Sequence, residues 1–255
     1  MRVDLNCDLG ESFGHYRLGF DEVLMDHITS ANVACGFHAG DPLVMARTVD
    51  LAAGKGVGVG AHPGYLDLRG FGRYRMDLPP EVVEADLLYQ LGALDAFARV
   101  RGVRLAHVKP HGALYNACEV DEKVARAVAR AVKRYDPQLV LVCSATSPVA
   151  MAAGEAEGLQ VAREAFADRQ YNPNGTLRSR REPGSLLTDP AEAARHAIRM
   201  VCEGTVVAYD GSRVPVRADT LCIHGDQPTA PAVARAVREA LVEAGVEIRG
   251  LAEQG

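Results

Sequence analysis

Lysine is scarce in this chain of 255 residues: four lysines stand against 24 arginines. Three of them, Lys55, Lys123 and Lys133, read as surface residues near helix ends, whereas Lys109 ends the apolar run "VRLAHV". A net charge of −5 removes the basic field on which many nucleic-acid binders depend. No apolar run approaches the length of a membrane span. The opening "MRVDLNCDLG" carries acids and strand-like alternation rather than the pattern of a signal peptide, so a cytoplasmic location is expected. The six cysteines include no C-x-x-C pair, and most lie in apolar runs, where cysteine acts as a small hydrophobe. Reduced thiols are expected, rather than disulfides or a zinc site.

Several catalytic signatures are missing too. There is no G-x-x-x-x-G-K-[ST] phosphate loop and no G-x-S-x-G elbow. His107 and His111 have i,i+4 spacing, but Pro110 between them excludes an H-E-x-x-H helix. "GVGVGA" (56–61) loosely matches a dinucleotide fingerprint, yet it lies within a strand that continues to His62-Pro63. Its glycines read instead as room inside a barrel.

What is present is alternation. Strand-like runs at 2–6, 28–36, 56–62, 103–109, 139–145, 159–167 and 219–225 are separated by helical stretches, clearest at 80–101, 120–135 and 229–244. Asp41-Pro42 and Asp189-Pro190 read as N-caps followed by a first-turn proline, and Gly245 as a C-cap. About seven such units predict an α/β fold, a single-domain β/α barrel over 1–255, with an open doubly wound sheet as the alternative. Near 205–217 a hairpin turning on Asp210-Gly211 reads as an insertion. The stretch 168–187 lacks any period and reads as a long functional loop.

Strand parity then sorts the polar residues. Asp4, Asn6 and Asp8 share one face, opposite Val3, Leu5 and Cys7; Gly58, Gly60 and His62 align, as do Leu105, His107 and Lys109, and Cys222, His224 and Asp226. Each run is apolar early and polar at its C-terminal end, where β/α barrels build active sites. Asn6, Asp8, His62, Lys109, His224 and Asp226 should therefore converge at one mouth, joined by His38 and His111. Pro110 forces a turn after Lys109 and aims His111 back at that mouth. Asp8, His38 and His62 are candidate ligands for a divalent metal. Arg69, Arg73 and Arg75 form one basic cluster and Arg178, Arg180 and Arg181 another, either able to hold carboxylate or phosphate or to serve as a solvated face or subunit contact.

Six stretches in order, "DLNCDLGES", "SANVACGFHAGD", "GVGVGAHPGY", "HVKPHGALYN", "EAFADRQY" and "LCIHGD", resemble the LamB/YcsF family, which corresponds to the A subunit of the prokaryotic 5-oxoprolinase. The resemblance spans residues 4 to 226. It implies a seven-stranded β/α barrel of the glycoside hydrolase/deacetylase type. It also implies cleavage of the lactam 5-oxo-L-proline to L-glutamate, ATP with Mg as co-substrate, and partner subunits B and C. In the long loop, where family members often read G-x-L-V-P-R-S, this chain reads "GTLRSRREP", with Arg178 and Ser179 at the Val and Pro positions.

Lactam chemistry distributes roles over the strand-end residues. Lys109 is expected to stabilise the lactam oxygen or a transferred phosphate, and Asp8 or Asp226 to activate water. His62, His111 or His224 would relay protons. Asn6, Glu11, Asn32, His38 and Arg169 are expected to bind the substrate. Two other readings compete: a metal-dependent deacetylase or amidohydrolase, and a non-catalytic subunit that delivers substrate.

Overall fold

The structure, a computed structural model, describes residues 1–251. Strand β1 (Arg2–Leu9) carries the alternation seen in the sequence, with Val3, Leu5 and Cys7 fully buried on its outer face and Asp4, Asn6 and Asp8 turned the other way. The chain then runs α1 (Asp21–Leu24), β2 (Ser30–Ala34), α2 (Pro42–Lys55), β3 (Gly58–His62), α3 (Pro80–Val100), β4 (Leu105–Val108), α4 (Gly112–Val120), α5 (Glu122–Tyr135), β5 (Val140–Ser144), α6 (Pro148–Ala156) and β6 (Gln160–Phe166). After the long loop come α7 (Pro190–Ile198), a wider π turn over Arg199–Glu203, β7 (Thr205–Val207), β8 (Arg213–Pro215), β9 (Thr220–Ile223), α8 (Ala230–Glu243) and β10 (Glu247–Ile248).

Strands β1 to β6 pair in sequence order, β6 pairs with β9, and β9 returns to β1 from Asp4↔Thr220 to Cys7↔Ile223, all in parallel. The sheet is thus a closed seven-stranded barrel, which removes the open-sheet alternative. Its covering helices start where the sequence signals place them. Asp41 accepts hydrogen bonds from the amides of Leu43 (2.8 Å) and Val44 (3.0 Å), and Asp189 accepts one from Glu192 (2.8 Å). Leu87, Leu91 and Leu94 of α3 and Val237 and Leu241 of α8 are fully buried beneath these helices, each leucine contributing about 1.5–3 kcal/mol of hydrophobic stabilisation. The hairpin turns on three residues, not on Asp210-Gly211 alone. The Gly211 amide bonds to Ala208 O and the Ala208 amide to Ser212 O, with Gly211 at φ +86° supplying the left-handed residue such a turn needs.

The barrel interior is polar. Asp4 Oδ1 accepts from the hydroxyls of Ser30 (2.6 Å) and Thr29 (2.7 Å), and its other oxygen accepts from Thr220. One layer up, Asn6 Nδ2 donates to Thr220 Oγ1 (2.6 Å), Asn32 Nδ2 donates to Asn6 Oδ1 (2.7 Å), and His107 Nε2 donates to Asn32 Oδ1 (2.7 Å). Gly60 makes this layer possible, since a Cβ there would lie 2.1 Å from His107 Nε2. Burial pushes the His107 imidazole down to about 3, helped by the Lys109 charge, so the ring stays neutral.

Candidate active site

At the C-terminal ends of the strands this column opens into a cavity of about 640 Å³. Lys109 lies at its floor. The Lys109 amide bonds to Ala61 O (2.9 Å) and the His111 amide to Pro63 O (2.8 Å), so Pro110 is held between two anchors on the chain of β3 before α4 begins. The Lys109 ammonium is almost fully enclosed. It donates to Asp8 Oδ1 (2.9 Å), approaches Cys222 Sγ (3.1 Å) and Asn6 Oδ1 (3.3 Å), and pairs with Glu164 Oε1 at 2.8 Å. Glu164 is itself fully buried, so this ion pair is the neutralising contact of its carboxylate. Burial alone would pull the Lys109 pKa down, but Asp8, Cys222 and Glu164 outweigh it and keep the amine charged. For Asp8, burial is likewise overcome, by His62 and Lys109, and its carboxyl is held well below the usual range.

Beside Lys109 stands a cluster of imidazoles. His62 Nδ1 lies 2.7 Å from Lys109 O and His62 Nε2 lies 2.9 Å from His111 Nδ1, while His111 Nε2 lies 2.8 Å from Phe71 O. His38 stacks on His111 with ring centroids 3.7 Å apart and planes within 4°. Glycines make the room: a Cβ at Gly72 would come within 2.7 Å of His38 Cβ and 2.8 Å of His111 Cδ2. The loop that supplies Gly72 is locally strained, with Phe71 at φ +56°, a conformation costly for a non-glycine residue. Glu11 Oε1 sits 3.5 Å from His38 Nε2 and 3.7 Å from His111 Nδ1. Burial and the Asp8 charge push Glu11 up to about 7.

On the opposite wall, His224 Nδ1 lies 2.9 Å from Asp168 Oδ1, and the His224 amide donates to Asp168 Oδ2 (2.8 Å). A carboxylate can only accept, so Nδ1 carries the hydrogen and Nε2 is the basic nitrogen of a ring that lines the cavity. The rim is cationic: Arg73, Arg169, Arg178, Arg180 and Arg181 all line the cavity. Arg169 donates to Arg178 O (2.7 Å), while its buried Nε has no partner among the described residues. Burial and the Arg180 charge lower the Arg169 guanidinium to about 10.

Comparison with known proteins shows the family and the fold. The profile of the LamB/YcsF family matches residues 3–255. This chain belongs to the LamB/YcsF family. A curated relative from Thermus thermophilus, named as the A subunit of 5-oxoprolinase, is 57% identical over 250 residues, 98% of this chain and 99% of its own. Another of that name from Pyrococcus abyssi is 55% identical over 248 residues, covering 97% of each. The crystal structure of a "Lactam Utilization Protein" from Thermus thermophilus superposes with a TM-score of 0.93 at 55% identity, over 98% of this chain and 100% of that one. An Enterococcus faecalis protein at 12% identity, with a TM-score of 0.54 over 98% of this chain and 97% of its own, shares the fold alone.

Within this family member, Asp8, Glu11, His62, Lys109, His111, Arg169, His224 and Asp226 all line the cavity. Three expected substrate-binding residues do not. Asn6 and Asn32 lie a layer below, bonded to each other, and His38 is fully buried behind His111. They position other side chains. Asp226 is a poor candidate base, because Arg180 (3.0 Å) and Arg73 (3.4 Å) both hold its carboxylate and, against burial, keep its pKa low. Asp8 is a poor base for the same reason. The first basic cluster does not act as a unit, since Arg73 lines the cavity while Arg69 and Arg75 are exposed outside it, whereas Arg178, Arg180 and Arg181 of the second all line it. The sequence reading missed Glu164 and Asp168. Both fall on the inward parity of β6 and its extension, in register with Phe166, so the same alternation that singled out Asp8 would have found them.

Proposed function

We propose that this chain opens the lactam of 5-oxo-L-proline to give L-glutamate, as the A component of a cytoplasmic ATP-dependent 5-oxoprolinase working with partner subunits B and C. Its relatives' names support the substrate class and the assembly. The observation that carries the reading is the shared cavity. His224 backed by Asp168, a buried Lys109 charge and a rim of arginines all face one space large enough for a small lactam and the phosphates of a nucleotide.

A lactam is a resonance-stabilised amide with a poor leaving group. Transfer of the γ-phosphoryl group of Mg-bound ATP to its oxygen breaks the bond to ADP and makes the ring carbon electrophilic. Water then adds to that carbon, and His224 Nε2 takes its proton. The C–N bond breaks to leave an acyl phosphate, and the released amine must be protonated so that it does not attack that carbon and reclose the ring. A second water releases phosphate, so ATP and two waters are consumed per glutamate. Arg169 and Arg180 would hold the phosphoryl oxygens. Lys109 acts chiefly through its field, because its three N–H groups already point at Asp8, Glu164 and the Asn6–Cys222 edge.

The test is glutamate formation from 5-oxoproline and ATP by the chain with and without co-purified partners B and C. Activity in the mixture, with phosphate release matched to glutamate, is the expected result. Absence of turnover with all three proteins folded and bound would overturn it in favour of deacetylase-type chemistry. Full turnover by a His224→Ala variant would leave only a substrate-delivery role.

A further inference from the structure

The His62–His111 contact holds a contradiction that the side chains alone do not resolve. Backbone carbonyls only accept, so the hydrogen on His62 is at Nδ1, facing Lys109 O, and that on His111 is at Nε2, facing Phe71 O. In two neutral rings the remaining nitrogens, His62 Nε2 and His111 Nδ1, both carry lone pairs, and they face each other at 2.9 Å. Two lone pairs at that distance repel unless something positive lies between them, either a metal ion or a proton that would make His62 the cation 3.3 Å from Asp8 Oδ2.

More donors converge there. Glu11 Oε1 is 3.7 Å from His111 Nδ1 and 3.5 Å from His38 Nε2. His38 is fully buried, and neither of its nitrogens has a hydrogen-bond partner among the described residues. One ligand atom from each of Glu11, His38, His62 and His111 fits within 4.8 Å of the others. Donors at about 2.0–2.1 Å from a tetrahedral ion stand roughly 3.3 Å apart, and the separations of 2.9 Å between His62 Nε2 and His111 Nδ1 and 3.7 Å between His111 Nδ1 and Glu11 Oε1 bracket that value.

We propose that His62 Nε2, His111 Nδ1 and Glu11 hold a divalent transition-metal ion of the zinc or cobalt class. The nitrogen-rich set favours such an ion over magnesium. His38 lies in a plane parallel to His111, so its lone pairs do not meet the same point as the rings stand. It reaches the ion only by turning its ring. Glu11, His62 and His111 line the cavity, which leaves the ion an open side toward a ligand, as catalytic sites have and structural ones lack. Charge also balances: Asp8, Glu11 and Glu164 are offset by Lys109 and a divalent ion. A second cluster, Asp8, Cys222 and His224, is a weaker competitor because Lys109 already occupies Asp8 and Cys222. The proposal does not depend on the lactam reading, and its test measures binding alone.

Chelator-treated full chain would be titrated with Co²⁺, followed by calorimetry and visible absorption. One equivalent per chain with the intense bands of a tetrahedral site is expected. His111→Ala should abolish it, Glu11→Gln should weaken it by at least about 10-fold, and His15→Ala, in an exposed loop, should leave it unchanged. Should His111→Ala fail to fold, the near-isosteric Glu11→Gln gives the same readout. Failure of the wild-type chain to bind Co²⁺ or Zn²⁺ saturably would overturn the proposal and leave a shared proton between the imidazoles. Wild-type binding that survives in folded Glu11→Gln and His62→Ala variants would overturn it as well, placing the ion elsewhere.

Discussion

The lower and upper halves of the barrel interior use the same residue types to opposite ends. Below, Asp4, Asn6, Ser30, Asn32 and Thr220 hydrogen-bond among themselves, and His107 Nδ1 is the unpaired polar atom of that layer among the described residues. Above, both His38 nitrogens and Arg169 Nε are buried without hydrogen-bond partners among the described residues. A satisfied network rigidifies, and an unsatisfied one costs stability and has capacity for a ligand. Burial does not distinguish the two halves; hydrogen-bond satisfaction does.

Lys109 joins the halves, and its removal should have the largest effect. Lys109→Met strands the Asp8 and Glu164 carboxylates without their cation, at a cost of about 3–5 kcal/mol. Turnover in the full complex should fall by about 10³-fold. Adding Glu164→Gln should recover much of the melting temperature and none of the turnover. A single variant that melts like the wild type would break the comparison, since the upper carboxylates would then need no counter-charge.

Asp168→Asn should sharpen it at the next level. The change keeps the shape but presents an amide to His224 Nδ1, favouring the wrong tautomer. A drop in kcat of about 10²-fold or more is expected, with KM little changed and the thermal melt within about 1 kcal/mol of wild type. A proportionate rise in KM with unchanged kcat would instead mean that Asp168 only places the loop.

Much of this was legible in the sequence. Strand parity separated Asp4, Asn6 and Asp8 from Val3, Leu5 and Cys7 before any contact was known, because the period of a strand is two. The Asp-Pro caps of α2 and α7 were equally plain. Helices α4 and α6 were not, since "GALYNACEV" and "PVAMAAGEA" are too short and too evenly apolar to show a helical period. Parity also tells which face a residue takes and not how deep it lies, so Asn6 and Asn32 were read as substrate ligands although they sit one layer too low. The tie between Asp226 and Arg180 joins residues 46 positions apart through a loop with no period, and no local signal announces it.

The smallest effect tests the lower half. Burial pushes the Asp4 carboxyl up to about 6 from 3.8, despite hydroxyl donors from Ser30, Thr220 and Thr29. Between those values the folded chain holds a proton that the unfolded chain has lost, so ionisation works against folding. The Asp4 contribution is therefore most favourable below about pH 4, falls as the pH rises toward 6 and is flat above it, with a total change of about 2–3 kcal/mol. Asp21, also pushed up to about 6, and Glu11, at about 7, titrate in the same window, so the difference between wild type and Asp4→Asn isolates the term. Denaturant melts from pH 4 to 7.5 should show that difference shifting in favour of the variant as the pH rises. A difference that does not change with pH would mean that the three hydroxyls solvate the Asp4 carboxylate as well as water does. The lower half would then bear no electrostatic cost, and its contrast with the upper half would be sharper still.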